Sequence, residues 1–328
     1  MEGRLVTTEV KNDGLPIRIG ISSCLLGEKV RFDAGHKKDV YLTDILGKYF
    51  EWVPVCPELE VGMGVPRESV RLVGKPDHPR MAGVKTGADW TERMLKFSDQ
   101  RITELSKLNL CGYIFKSKSP SCGIERIRIY TEQGMPGGNG RGLFANAFMN
   151  TFPLIPVEDE GRLNDLPIRE SFIVRVFSYH RLVELMQAPF SRGAWIQFHS
   201  ANKYLLLAHS PKYYSLLGRK AATIKTGSPT RWMEEYGALF MEALNVRTTT
   251  KKNVNVLQHI FGFIKNELSG GEKEDILNVV EEYRQNLIPL IVPVTLLKHY
   301  LQKHNVTYIL DQVYLNPHPK ELMLRNHV

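Results

Sequence analysis

Cys24, Cys56, Cys111 and Cys122 are the four cysteines of this 328-residue chain, and three of them share a local pattern. IRIGISSC, WVPVCPE and LCGYIFKSKSPSCG each run from an apolar stretch into a polar turn that carries a thiol, at Cys24, Cys56 and Cys122. Cys111 sits inside its apolar run and reads as a small buried hydrophobe. Three thiolates from distant sequence can hold an iron–sulfur cluster while leaving one iron without a protein ligand. They can equally bind zinc, with a fourth ligand from water, His36 or Glu58. The plainer alternative is three unrelated thiols at loop ends, since the sequence holds no close-spaced cysteine pair.

A shared site requires that the three runs be neighbouring strands of one parallel sheet, because their thiols then emerge at its carboxyl edge, where open α/β sheets bind ligands. The chain supports this. Strands are expected over residues 17–23, 52–55, 110–115 and 153–157, with an edge strand in IERIRIY. Helical spacing marks residues 39–50, through Val40, Leu42, Ile45, Leu46 and Tyr49. It also marks residues 88–108, through Trp90, Met94, Phe97, Ile102 and Leu105, and residues 143–151. CPELEVGMGVPRESVRLVG reads as a long loop broken by Gly62, Gly64 and Pro66, and GMPGGNGRG as a Gly-rich turn. Strands alternating with helices imply an α/β fold, flavodoxin-like or doubly wound, with a mostly parallel sheet.

A helix over 168–186 then packs on this part or bridges to the next. From residue 193 onward no alternating strands follow, and residues 194–209, 211–225, 229–245, 252–268, 272–286 and 293–304 read as helices of an all-α domain. The divisions expected are a mobile lead over 1–16, an α/β domain over 17–160, a connecting helix over 161–192 and a helical domain over 193–328.

Composition is that of an ordinary globular chain, 43% hydrophobic and 24% charged. No apolar run reaches the roughly 18 residues of a membrane span, and MEGRLVTTEVKNDG lacks a signal peptide's apolar core, so a cytoplasmic location is expected. In a reducing compartment, cysteines serve metal binding, catalysis or burial rather than disulfides. Charge is uneven: residues 1–189 carry net +2, and residues 190–328 net +6 together with seven of the ten histidines. A basic helical part suits an anionic partner such as RNA, although a mildly basic surface also arises by chance. Lys203, Lys212, Arg219, Lys220, Lys251 and Lys252 are candidate phosphate contacts, with Tyr204 and Tyr213 as candidate stacking rings unless they belong to the core.

The segments SSCLLGEKVRFDAG, VPVCPE with GVPR, and KSKSPSCG resemble, in order and spacing, the TudS-type thiouracil desulfidases over roughly residues 15–160. Roughly residues 190–315 resemble the helical domain typified by YbgA, and chains with both parts resemble RudS-type enzymes proposed to act on 4-thiouridine in tRNA. The resemblance implies a 4Fe–4S cluster on Cys24, Cys56 and Cys122, leaving Cys111 aside. It implies non-redox hydrolysis of a thiocarbonyl whose sulfur is captured on the open iron. Glu58 would then exchange protons beside the cluster, and Ser119 or Ser121 would orient water or the base. Arg31, Asp33, Lys116 and Lys118 would be substrate contacts, and Asn139 in the Gly-rich turn would help a helix start to receive a phosphate. The implied partner is tRNA or a free thiolated pyrimidine nucleotide. A non-catalytic nucleic-acid binder with a structural metal is the rival from another class.

Overall fold

A computed structural model describes residues 16–327; the lead read over residues 1–16 lies outside them apart from Pro16. The strands, in chain order, are β1 (Arg18–Ser22), β2 (Glu51–Val55), β3 (Val70–Lys75), β4 (His78–Gly83), β5 (Leu110–Phe115), β6 (Ile127–Tyr130), β7 (Pro136–Gly140) and β8 (Val157–Asp159). They form two sheets. The first, in the order β2-β1-β5-β8, is parallel throughout. Ser22 pairs with Val55, and Ile21 with both Pro54 and Ile114, so β1, β2 and β5 end at one edge. This is the parallel α/β sheet expected from the alternating pattern.

The second sheet, β4-β3-β6-β7, was not anticipated. Its β3 and β4 pair antiparallel from Val70 with Gly83 to Lys75 with His78, around a turn at Pro76 and Asp77. RLVGKPDHPRMAG hides this hairpin because Gly, Pro and charge interrupt any period-two alternation. IERIRIY contributes β6 as an interior strand, bonded to β3 on one side and β7 on the other, and is not an edge strand. Half of the Gly-rich turn is itself strand β7. The last strand begins later than read. Ile155 N–H closes a turn on the Phe152 carbonyl at 3.2 Å, while the Pro156 carbonyl accepts from Tyr113 at 2.9 Å, so pairing starts only at Val157.

In place of one α-helix, residues 39–50 form a wide π-turn, Tyr41–Ile45, followed by a 3-10 turn, Leu46–Lys48, which bury Leu42 and Leu46. The helices are α1 (Thr91–Leu105), α2 (Leu143–Thr151), α3 (Leu166–Gln187), α4 (Arg192–His209), α5 (Pro211–Ala222), α6 (Pro229–Asn245), α7 (Thr250–Ile264), α8 (Gly270–Arg284), α9 (Ile291–Lys303) and the single turn α10 (Thr307–Leu310). Ser191, Ser210 and Thr249 cap α4, α5 and α7 through their side-chain oxygens, and Ser269 with Glu272 forms a capping box on α8. These caps explain why the helix starts were readable.

One face of the parallel sheet buries Tyr113 and Phe115, stacked at 4.0 Å, under Phe144 and Phe148 of α2 and Met94 and Ile102 of α1. The other buries Ile19, Ile21 and Ile114 against Phe172, Ile173 and Val176 of α3. Helix α3 also gives Val174 and Leu182 to the core of the helical half. The chain returns to the sheet at its end: Leu322 and Leu324 pack beside α3, where Arg325 bonds Glu170 at 3.1 Å. Helix α2 opens directly against the loop after β5. Gly142 N–H donates to the Gly123 carbonyl (2.8 Å), Leu143 N–H to Pro120 (3.1 Å) and Ala145 N–H to Ser121 (3.0 Å).

A Cβ on Gly142 would stand 2.5 Å from the Ser121 carbonyl carbon and 2.8 Å from Cys122 N, both backbone. Gly142→Ala is therefore expected to destabilise the α/β part by about 1–3 kcal/mol, read as a lower midpoint in denaturant unfolding. In the helical half, burial lowers the pKa of His209 to about 4, even though its Nδ1 faces the Val246 carbonyl at 2.7 Å. The folded state thus holds His209 neutral where the unfolded chain, at about 6.5, takes up a proton. Stability contributed by the neutral ring is complete above pH 6.5 and is lost as pH falls toward 4, on the order of 3 kcal/mol. Melting temperature measured from pH 7 to 4 should fall in the native chain and fall less in His209→Gln.

Candidate active site

The carboxyl edge of the parallel sheet opens into a cavity of about 270 Å³. Cys24 lies two residues beyond β1, in a tight turn over Ser23–Leu26 that Gly27 closes at φ +97°. Cys56 follows β2 directly; its N–H donates to Glu60 Oε1 at 2.7 Å. Cys122 ends the loop after β5, its N–H on Ser119 Oγ at 3.1 Å. All three line the cavity, so the parallel register brings together thiols that are 32 and 66 residues apart in sequence. Cys111 faces the core behind the sheet, near His180 Nδ1 at 3.6 Å.

Glu58 and Arg67 organise the wall beside the thiols. Arg67 donates to Glu58 Oε2 from Nη2 at 2.6 Å and from Nε at 3.2 Å, in a pair whose side chains are 6% and 14% exposed. Arg67 Nη1 also donates to the carbonyls of Val30 at 3.0 Å and Gly64 at 2.9 Å. The other oxygen, Glu58 Oε1, accepts from Ser121 Oγ at 2.7 Å and Ser119 Oγ at 3.3 Å, and the two hydroxyls are 2.9 Å apart. One carboxylate thus joins the loops after β1, β2 and β5. Arg67 was not singled out from the sequence. The available signal was its place in GVPR, a lone cation nine residues after an acid and just past a Gly/Pro break.

The thiols are held protonated by their surroundings. Burial, then the neighbouring Cys56, pushes Cys24 up to about 11; burial raises Cys56, and burial raises Cys122 although the Ser22 hydroxyl opposes it. Lys116 and Arg31 beside Cys24, and Arg67 beside Cys56, oppose this effect only in part. Among the described residues no three His, Cys, Asp or Glu converge closely enough to hold a single metal ion, and His36 is exposed.

Other expected contacts divide. Arg31 and Lys118 line the cavity, Lys118 in the left-handed conformation at φ +57°. Asp33 is exposed and pairs with Arg31 at 3.4 Å, outside the lining. Lys116 is bound to Glu160 and Ser117, so it is not a free phosphate ligand. Asn139 sits on β7 and lines a different cavity. The helix start expected to receive a phosphate is occupied, since its N–H groups at Leu143 and Ala145 bond the Pro120 and Ser121 carbonyls.

Five of the eight RNA candidates are engaged or buried. Tyr204 is buried and Tyr213 half-buried; Lys203 bonds Tyr308 Oη at 2.8 Å and Lys252 bonds the carbonyls of His209 and Arg247, while Lys220 pairs with Glu235. Lys212, Arg219 and Lys251 are exposed and form no ion pair among the described residues.

Fold and site define an α/β protein with a cysteine-ringed cavity at a parallel sheet edge, joined to a helical half. Residues 19–160 match the family described as 2-thiouracil desulfurase, and residues 203–319 match a family described as protein of unknown function, DUF1722. Over 158 residues, 48% of this chain and 94% of the relative, the sequence is 27% identical to uncharacterized protein YbgA of Escherichia coli (strain K12). A solved structure of the 4Fe–4S-dependent thiouracil desulfidase TudS is 26% identical, covering 47% of this chain and 98% of that one, with a TM-score of 0.39. The chain joins a segment matching the 2-thiouracil desulfurase family, as the three cysteine motifs suggested, to a YbgA-like DUF1722 segment, as the helical pattern suggested. No described helix is long and apolar enough to cross a membrane.

Replacing Arg67 by Met leaves the half-buried Glu58 carboxylate without its cation, which should cost about 1–3 kcal/mol. Adding Glu58→Gln removes the orphaned charge and should restore much of that loss. Denaturant midpoints of the two single variants and the double variant measure the coupling; additive losses would show that the pair is not a unit.

Proposed function

We propose that the chain hydrolytically removes sulfur from a thiolated pyrimidine at a 4Fe–4S cluster held by Cys24, Cys56 and Cys122, with 4-thiouridine in tRNA as the substrate. One observation carries this reading: three thiols from three strand ends meet around a cavity walled by Glu58, within the segment that matches the 2-thiouracil desulfurase family. When bound, the cluster supplies a soft Lewis acid that withdraws electron density from the thiocarbonyl sulfur.

The protein supplies orientation and protons. The overall step is C=S plus water giving C=O and hydrogen sulfide, with no electron transferred. Glu58 accepts the proton of the attacking water on Oε1, the oxygen that faces the serines, and returns a proton to the departing sulfur. Arg67 holds Oε2, so the reacting oxygen keeps one direction. Ser119 and Ser121 share Oε1 and can pass their hydrogen bonds to the water or the base edge as it arrives. Phe32 lines the same cavity, 41% exposed, with the Arg31 guanidinium 5.3 Å from its ring centroid. It offers an aromatic face to a pyrimidine. The net +6 charge over residues 190–328 supports RNA as the carrier of that base.

Purified without oxygen, the native chain should be brown and contain iron and acid-labile sulfide. Cys24→Ser, Cys56→Ser and Cys122→Ser should each lose most of it, whereas Cys111→Ser should keep it. Glu58→Gln should retain iron but slow sulfide release by about 10²–10⁴-fold. Nucleoside mass spectrometry of tRNA should show 4-thiouridine converted to uridine, faster than the free nucleotide. A colourless, iron-free chain with full activity overturns the cluster assignment, and preference for the free nucleotide overturns the tRNA assignment.

A further inference from the structure

A second cavity, of about 480 Å³, lies where the α/β part meets the helical half. Its wall holds five arginines drawn from the whole chain: Arg126 and Arg141 from the loops flanking β6 and β7, Arg162 before α3, Arg175 on α3, and Arg247 between α6 and α7. Two glutamates share the wall, and Arg162 satisfies both, bonding Glu158 at 2.6 Å and Glu125 at 2.8 Å. The other four guanidiniums form no ion pair among the described residues. Arg175 makes one bond to Asn245 Oδ1 at 2.8 Å, and its Nε is buried with no partner. Five guanidiniums against two carboxylates leave the cleft with an excess of positive charge that an anionic ligand would compensate, and the planar guanidinium fork matches phosphate oxygens.

The two cavities are the two sides of one short segment. Cys122 lines the first, and Ile124, Glu125 and Arg126 line the second. Arg126 is held at φ +53°, a conformation that non-glycine residues seldom adopt and that concentrates at ligand sites. From Cys122 to Arg126 the backbone can span no more than about 14 Å.

We propose that this cleft is the seat of the RNA backbone, with Arg126, Arg141, Arg175 and Arg247 binding phosphates flanking the nucleotide whose base enters the cysteine cavity. The inference rests on the reading of that cavity as a thiopyrimidine site, and it gives the carrier strand a path between both halves. Of the candidates on α4, α5 and α7, only Lys212, Arg219 and Lys251 remain exposed and unpaired among the described residues. It also moves the phosphate role of the Gly-rich segment from backbone N–H groups to Arg141.

The test is binding of the full chain to a 4-thiouridine-containing RNA oligonucleotide, followed by fluorescence anisotropy across a salt series. Arg126→Ala/Arg141→Ala/Arg247→Ala removes three exposed side chains, and the single Arg247→Glu reverses one; an unchanged unfolding midpoint certifies the fold. Expected results are affinity weakened about tenfold or more, with a log–log salt slope reduced by about 2 in the triple variant and by about 0.7 or more in Arg247→Glu, since each single-strand phosphate contact contributes about 0.7. Unchanged affinity and slope in both variants overturn the proposal. So does a loss confined to Lys212→Ala/Arg219→Ala/Lys251→Ala, or one seen with uridine monophosphate and not with the oligonucleotide. Binding is read without turnover. A native chain that binds RNA through the cleft yet releases no sulfide would instead count against the desulfuration reading.

Discussion

The site depends on one half-buried carboxylate. Glu58 stands at the join of three loops that the sheet brings together, and each of its oxygens is committed, one to Arg67 and one to two serine hydroxyls. An ionised carboxylate taken from water needs such partners, because an unpaired buried charge costs several kcal/mol. Arg67 in turn fixes the backbone at Val30 and Gly64, and Ser119 Oγ also accepts the Cys122 N–H. The bonds that satisfy Glu58 therefore also set where the thiol-bearing loops stand. Positioning of the cysteines and readiness of the acid are one arrangement, so a change to either is felt by both.

The thiols pull the other way. Cys24 and Cys122, buried, and Cys56, half-buried, favour the protonated state, and the nearby Glu58 adds to this at Cys56 and Cys122. A site that resists ionisation by itself and gathers three sulfur donors is suited to a cationic centre, whose charge reverses that balance. The same electrostatic reasoning applies in the opposite sign at the second cavity, where five guanidiniums face two carboxylates. Between them runs the Cys122–Arg126 segment, clamped at its base by the start of α2.

Much of this was legible because it is local. Caps and apolar spacing located the helices of the second half, and continuous apolar runs located β1 and β5, since buried parallel strands need no alternation, while β2, at the sheet edge and part-buried, still showed as a short apolar run. The cysteine motifs, Glu58 and the serine pair were visible as residue types at strand ends. What escaped was non-local. The β3–β4 hairpin shows no alternation, so only its pairing reveals it. Lys116, Lys220 and Lys252 look like free cations in sequence, yet each is taken up by a glutamate or by backbone carbonyls that arrive from elsewhere.

The sequence by itself determined the alternation of strand and helix, the helical character beyond residue 193, and which residue types stand where each apolar run ends. These follow from propensity, capping and hydrophobic period, which act over a few residues. The tertiary structure alone decided that the three thiols share a cavity, that Arg67 is the partner of Glu58, that the α2 start is closed to phosphate, and that arginines from both halves face one cleft. Each of these depends on strand register or on packing around α3, and so on contacts between residues tens to more than a hundred positions apart.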